Sequence, residues 1–297
     1  MPKKRSAFRN RLEALLAGAL GAVLARKTPE AAEASGRALG RLYLRLDAKR
    51  RNLARKNLEC AFPALPPVEI DALAVRVFEH FGGVAAELLH AIGHDPADAL
   101  SRLETEGAEI ARAASTGGRG VLFMTAHFGN WEWAAIGTGA LGISSGVIAR
   151  PLDNPLLDAT LTRLRTSTGN FVIEKRAAAR EILRALRSGG AIGVLNDQHA
   201  HPPDAVTAPF FGRPAATSSA LAKLADRTEA LIVPAAAIRV APARWRLTFE
   251  PPLDVRTLSE EDRGVEKLTA RLNGILEQMI RRHPEQWLWF HNRWRLD

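Results

Sequence analysis

Gly117-Gly118-Arg119-Gly120-Val121-Leu122-Phe123-Met124-Thr125-Ala126-His127-Phe128-Gly129-Asn130-Trp131-Glu132-Trp133 joins a glycine-rich turn, an apolar run and a polar, aromatic loop. Glycines punctuate its start, and an unbroken apolar run then occupies 121–124. A short run of this kind, bounded by turn residues, reads as a strand buried on both faces. Gly129-Asn130 breaks the run, and the residues over 131–141 read as a helix. The unit is therefore strand, loop, helix, with a histidine just beyond the carboxyl end of the strand. Open α/β sheets keep their ligand-binding and reactive groups there.

Working outward, the alternation repeats. Strand-like runs fall at 146–149, 191–195, 231–240 and 245–249, and helical periodicity at 155–166, 176–187, 217–226 and 265–282. This order implies an α/β fold, with a mostly parallel central sheet flanked by helices. Upstream the period is helical throughout. Thr28-Pro29-Glu30 has the make-up of a helix start, with an N-cap, a proline and an acid near the positive dipole end. One helix is expected over 28–46 and a basic one over 49–61. A third, from Pro66-Pro67 to about Gly93, carries Ile70, Leu73, Val77, Phe81, Val84 and Leu88 on one stripe. The expected organisation is a segment 1–27 followed by a domain over 28–297, helical over 28–93 and α/β over 94–297.

The chain has 297 residues, 46% of them hydrophobic and 25% charged, which are ordinary values for a globular protein. Its one cysteine, Cys60, excludes an internal disulfide and a cysteine-based zinc site. The formal charge of +9 is unevenly distributed. Residues 1–56 hold fifteen Lys or Arg against four acids, a net +11, so the remainder is −2. The N-terminal fifth therefore faces something anionic. Lys3-Lys4-Arg5, Arg9 and Arg11 precede an apolar run over 12–25 that only Glu13 interrupts, and Arg26-Lys27 follow. The run is too short for a bilayer span of about 20 residues, so a basic helix lying in a membrane interface is expected. No nucleic-acid partner is expected.

The loop over 126–133 carries the chemistry. His127 and Glu132 are five residues apart across a turn, which allows the carboxylate to fold back onto one ring nitrogen and leave the other to take a proton. With no Ser or Cys in the loop and no G-x-S-x-G elbow, the base is expected to activate a substrate hydroxyl. Backbone N–H groups at the Gly129 turn and the helix start are candidate oxyanion donors. Arg150 follows a strand and suits a phosphate. Asp197 follows the run over 191–195, placed to orient the acceptor or to pair with Arg150. Asn130 is a further substrate-binding candidate. Phe210 and Phe211 either line an acyl groove or pack in the core. Trp287, Trp289, Phe290 and Trp294 suit either a membrane interface or the core. His199, His201 and Asp204 have the composition of a metal site, but Pro202-Pro203 runs through them and no metal is expected.

Several ordered blocks resemble a known family, the lysophospholipid acyltransferase-like superfamily and within it the bacterial late lipid A (lauroyl and myristoyl) acyltransferases. Arg55-Lys-Asn-Leu-Glu-Cys-Ala-Phe-Pro63 is similar to the end of that family's N-terminal helix. His127-Phe-Gly-Asn-Trp-Glu132 resembles its H-x4-D/E signature. Arg150-Pro-Leu-Asp-Asn-Pro155, Asn196-Asp-Gln198, Pro209-Phe-Phe-Gly-Arg-Pro-Ala-Ala-Thr217, Pro284-Glu-Gln-Trp-Leu-Trp289 and His291-Asn-Arg-Trp294 resemble further blocks, in the family's order over almost the whole chain. The histidines after Asp197 and the interrupted apolar run at the N-terminus depart from the family's pattern.

The resemblance implies direct acyl transfer from an acyl carrier protein or coenzyme A thioester to a hydroxyl of a membrane glycolipid such as a lipid A precursor. His127 would be the base and Glu132 its orienter. It implies no cofactor beyond the thioester co-substrate, and a place on the cytoplasmic face of a bacterial inner membrane. Rival acceptors are a mannosylated phosphoinositide, another glycolipid or a lysophospholipid. A thioesterase and a non-enzymatic membrane-surface binding protein are the other readings.

Overall fold

The computed structural model describes residues 6–174 and 178–295. Lys3-Lys4-Arg5 and the expected start of a helix at Arg176 lie outside them. The chain opens with four helices, α1 (Ala7–Ala25), α2 (Pro29–Leu46), α3 (Ala48–Ala61) and α4 (Pro67–Ile92), and a short α5 (Pro96–Leu100). There follow β1 (Leu103–Glu106), α6 (Ala108–Thr116), β2 (Val121–Thr125), α7 (Trp131–Ala140), β3 (Ser145–Ala149), α8 (Pro155–Thr166), β4 (Phe171–Glu174), α9 (Ala178–Arg187) and β5 (Ala191–Leu195). A hairpin β6 (Ala205–Phe210) and β7 (Arg213–Ser218) leads through α10 (Ala220–Thr228) to β8 (Leu231–Ala241) and β9 (Arg244–Phe249). The chain closes with α11 (Glu260–Arg263) and α12 (Val265–Arg282).

Seven strands form one sheet in the order β1-β9-β8-β2-β5-β3-β4. Its neighbours are parallel except β8 and β9. The α/β fold is thus as the alternation implied, with a parallel centre and helices on its faces. β2 lies in the middle, and its Val121, Leu122, Phe123 and Met124 are all buried, which is why it reads as an unbroken apolar run. Two corrections concern the edges. Neither edge strand was expected: β1, Leu-Glu-Thr-Glu, has one apolar residue, and β4, Phe-Val-Ile-Glu, is an apolar run of only three. The helix expected from residue 217 begins at Ala220, because 217–218 belong to β7. In that hairpin Phe210 pairs with Arg213, and the two-residue turn Phe211-Gly212 has both φ angles positive, at 51° and 70°. That is the twist-matching turn of a tight hairpin.

The N-terminal helices are built onto the sheet. Thr28 caps α2, its Oγ1 accepting the Ala31 N–H at 3.2 Å. Gly36 and Gly40 of α2 meet Gly82 and Phe78 of α4 with backbones touching. A Cβ at Gly40 would lie 2.1 Å from the Phe78 carbonyl oxygen, so no other residue fits. Arg239 of β8, with only 8% of its side chain exposed, joins Glu33 of α2 at 3.1 Å and Glu87 of α4 at 2.7 Å, and stacks on Trp245 at 4.2 Å. The guanidinium of a strand is therefore neutralised by two helices, which ties α2 and α4 to the sheet.

Candidate active site

β2 and β5 are neighbouring parallel strands, with Thr125 opposite Leu195. Two residues beyond these ends stand His127 and Asp197, so in-register pairing alone sets them side by side. Asn196 N–H extends the pairing by donating to the Thr125 carbonyl at 3.1 Å. His127 Nδ1 lies 2.9 Å from Asp197 Oδ1. Asp197 Oδ2 accepts from the His127 backbone N–H at 3.0 Å and from Trp287 Nε1 at 2.8 Å. A carboxylate only accepts, so Nδ1 carries the proton and Nε2 keeps its lone pair.

This corrects the expected pairing: Asp197, not Glu132, holds the imidazole, and the partners of Asp197 are His127 and Trp287 rather than Arg150. Glu132 turns away because Asn130 caps α7. Asn130 Oδ1 accepts from the N–H groups of Glu132 and Trp133, both at 3.2 Å. Glu132 then forms a two-pronged pair with Arg165 of α8, Oε2 to Nε at 2.7 Å and Oε1 to Nη2 at 2.5 Å, and accepts from Trp131 Nε1 at 3.1 Å. Both partners are largely buried.

The electrostatics follow. Burial opposes protonation of His127, but the Asp197 charge and hydrogen bond, with a smaller pull from Glu132, outweigh it and raise its pKa above 6.5. Burial pushes the Asp197 carboxyl up, but the His127 charge and the hydrogen bonds from His127 and Trp287 prevail and hold it below the usual range. Burial depresses the Arg165 guanidinium, and the Glu132 hydrogen bond and charge raise it by more.

The loop is fixed from behind. Gly129, at φ +60°, has no room for a Cβ, which would fall 2.0 Å from the Ala237 carbonyl oxygen. Its N–H donates to the Gln286 carbonyl at 2.9 Å, and Asn130 N–H to the Ala237 carbonyl at 2.8 Å. Leu288 N–H donates to the His127 carbonyl at 3.0 Å. His80 of α4 donates from Nε2 to the Gly129 carbonyl at 3.1 Å, and burial lowers its pKa to about 3, so it stays neutral. The N–H groups of residues 129, 130, 132 and 133 are thus spent within the protein.

The other expected residues fall as follows. Arg150 pairs with Asp153 at 3.0 Å on the surface. Phe210 and Phe211 are buried in an aromatic cluster with Trp287, Trp289 and Trp294, so they pack in the core rather than line a groove. Trp287 and Trp289 are fully buried, which settles those two as core residues. The rings of His199 and His201 meet edge to face, and among the described residues no group of three or more His, Cys, Asp or Glu is arranged to hold a metal. Sequence reasoning missed Arg165, Trp287 and His80 as site residues. Arg165 is one of two arginines in the last turn of α8, and only the fold shows what it faces.

A hydrocarbon-lined pocket of about 330 Å³ lies between α1, α2 and α4, walled by Leu20, Leu24, Phe78, Phe81, Leu89 and Phe290. The Phe81 ring is 6.2 Å from that of Trp131, which is 5.0 Å from that of His127. Among the described residues no helix is long and apolar enough to cross a membrane. The outer face of α1 exposes Phe8, Leu12, Leu15, Leu16 and Val23.

A histidine held by a buried carboxylate at parallel strand ends, with its unprotonated nitrogen facing the Gln198 carboxamide at 3.3 Å and an apolar pocket two aromatic rings away, has the arrangement of a general base. The sequence pattern of the family described as "Bacterial lipid A biosynthesis acyltransferase" matches residues 1–296, and the chain belongs to this family. It is 28% identical over 262 residues to the lipid A biosynthesis lauroyltransferase of Escherichia coli (strain K12), covering 88% of this chain and 84% of that one. It is likewise 28% identical over 262 residues to the lipid A biosynthesis palmitoleoyltransferase of the same strain, covering 87% and 82%. Among solved structures, the 1-acyl-sn-glycerophosphate (LPA) acyltransferase of Thermotoga maritima aligns with a TM-score of 0.39 at 15% identity, over 83% of this chain and 97% of that one. At the level of the family, the protein is an acyltransferase.

Proposed function

We propose that the protein is an O-acyltransferase that moves a fatty acyl chain from an acyl carrier protein or coenzyme A thioester to a hydroxyl of a lipid A precursor at the membrane surface. The observation that carries this reading is the tautomer of His127. Nδ1–H is committed to Asp197, and Nε2, which faces the Gln198 carboxamide at 3.3 Å, keeps its lone pair on a side chain that is 23% exposed. The acceptor hydroxyl gives its proton to Nε2 as its oxygen attacks the thioester carbonyl. The resulting imidazolium faces Asp197, with Glu132 adding a weaker attraction, and it returns the proton to the departing thiolate. Glu132 acts here as a charge braced by Arg165, alongside Asp197 as the orienter.

The acyl chain of the donor lies in the pocket walled by Phe81, whose ring is 6.2 Å from that of Trp131. Each buried CH₂ adds about 0.8 kcal/mol there, so the pocket's depth sets a preferred length. The exposed apolar face of α1 and the basic residues of the N-terminal fifth seat the protein on an anionic leaflet without spanning it. The test is acyl transfer followed by mass spectrometry, with acyl thioesters and lipid A precursors offered to the wild type and His127→Ala. A new O-acylated glycolipid that only the wild type makes supports the reading. Free fatty acid alone points to a thioesterase, and an acylated lysophospholipid or phosphoinositide to a different acceptor.

A further inference from the structure

Gln198 follows Asp197 directly, and its side-chain Nε2 lies 3.3 Å from His127 Nε2. Since Nδ1 holds the ring proton, Nε2 is the acceptor and the carboxamide N–H₂ donates to it. The amide thus occupies the one lone pair that the reaction needs, and an incoming hydroxyl must displace it. The Gln198 backbone stays fixed in this exchange, because Asp197 has its three hydrogen bonds and His199 N–H donates to His291 Nε2 at 3.0 Å. Only the side chain swings, and its donors remain beside the point of attack.

Most of the donors of the His127 loop are otherwise engaged. The N–H groups of Gly129, Asn130, Glu132 and Trp133 bond within the protein, Trp287 Nε1 bonds Asp197, and the Arg165 fork is closed on Glu132. Asn130 Nδ2 and Asn196 Nδ2 have no partner, but both are sealed from solvent, whereas Gln198 is half-buried on the open side of the imidazole.

We propose that Gln198 is a catalytic residue whose carboxamide N–H, displaced from His127 by the acceptor hydroxyl, donates to the thioester oxygen as it becomes an oxyanion. This rests on the acyl-transfer reading. The acceptor O–H proton passes to Nε2 as the new C–O bond forms, and the C=O electron pair moves onto oxygen, where Gln198 holds it. Collapse restores the carbonyl and breaks the C–S bond, and the imidazolium proton goes to the thiolate. The acceptor hydroxyl and the thioester supply every atom and electron.

Gln198→Met keeps the shape of the side chain and removes the donor. Wild type and variant are compared on an acyl thioester and on the matching dithioester, whose C=S sulfur is a poor hydrogen-bond acceptor, with thermal unfolding as the folding control. With the thioester, kcat is expected to fall by about 10²–10³ with KM little changed, as for loss of one oxyanion donor. The acid limb of kcat/KM should move up slightly, because the amide's hydrogen bond to the neutral ring is lost, and the wild type's preference for thioester over dithioester should shrink towards unity. Gln198→Glu, which adds a carboxylate facing the oxyanion, should lose at least as much and move the acid limb up. Equal losses on both substrates, unchanged kinetics, or a faster Gln198→Met enzyme would each overturn the role; the last would make the amide a plug on Nε2. If the wild type acylates a glycolipid and Gln198→Met matches it, only the role of Gln198 fails. If the wild type transfers to no acceptor, the parent reading fails and takes this one with it.

Discussion

Asp197→Asn is the perturbation whose outcome the geometry fixes most tightly. Oδ2 of Asp197 accepts two hydrogen bonds, from the His127 backbone and from Trp287. Asparagine must keep its oxygen at that position, because its N–H₂ group there would face two donors. Its nitrogen is therefore directed at His127 Nδ1, which becomes the acceptor, and the ring proton moves to Nε2. The base is lost although no contact is broken. Loss of the orienting aspartate in a serine-protease triad, which acts through the same tautomer reversal, costs about 10⁴ in kcat, or roughly 5 kcal/mol of transition-state stabilisation. A fall of that order is expected here, read by mass spectrometry of acylated lipid under saturating thioester. Two pH measurements accompany it. In the wild type the acid limb of kcat/KM should lie above 6.5, because His127 must be neutral to act and its pKa is raised. For stability, the raised His127 pKa gives a contribution that is complete below about 6.5 and is lost as pH rises through the folded value. The lowered Asp197 pKa gives one that is present above about 3.9 and is lost as pH falls through its folded value. The Tm advantage of wild type over Asp197→Asn should therefore shrink as pH rises above about 6.5. A variant within tenfold of wild-type kcat, with its acid limb unmoved, would refute the tautomer reasoning.

Glu132→Ala strands the buried Arg165 and should cost about 3–5 kcal/mol in urea unfolding, most of it recovered by pairing Glu132→Leu with Arg165→Met; activity should not return with the stability. The pair Leu15→Glu, Leu16→Glu puts two negative charges on the exposed apolar face of α1, so flotation with anionic vesicles should lose binding while Tm stays within about a degree. Ala85→Phe fills the pocket beside Phe81 and Leu89. Competition among thioesters of graded length should shift to shorter chains, at about 0.8 kcal/mol per CH₂ no longer buried, and an unchanged length profile would place the acyl chain elsewhere.

What the sequence made legible follows local physics. The apolar run at 121–124 and the Gly129-Asn130 break identify strand, loop and helix without reference to any other part of the chain, and His127 falls at the reactive end by the same reading. The partner of His127 was not legible in this way. Glu132 is five residues distant and Asp197 seventy, and only the adjacency of β2 and β5, a matter of strand order, brings the second into contact. Glu132 was turned aside by its own neighbour, since the Asn130 cap directs the first turn of α7 towards α8. The hairpin β6–β7 was hidden by Pro209 and Pro214, which oppose one another in its register and suppress the usual strand signal. Phe210 and Phe211 look like groove residues in one dimension because apolar runs do not say which way they face; the tight turn at 211–212 points them into the tryptophan cluster. Arg165 and His80 carry no local signal, because their importance lies wholly in what the fold brings opposite them.

If His127, held by Asp197, activates a lipid hydroxyl for attack on an acyl thioester, its loss must abolish transfer. Purified wild type and a folded His127→Ala variant are incubated with acyl carrier protein thioester and a lipid A precursor, and the mass of the lipid is read. One added acyl chain is expected with the wild type and none with the variant at the same protein concentration. Equal acylation by both proteins would rule out His127 as the base.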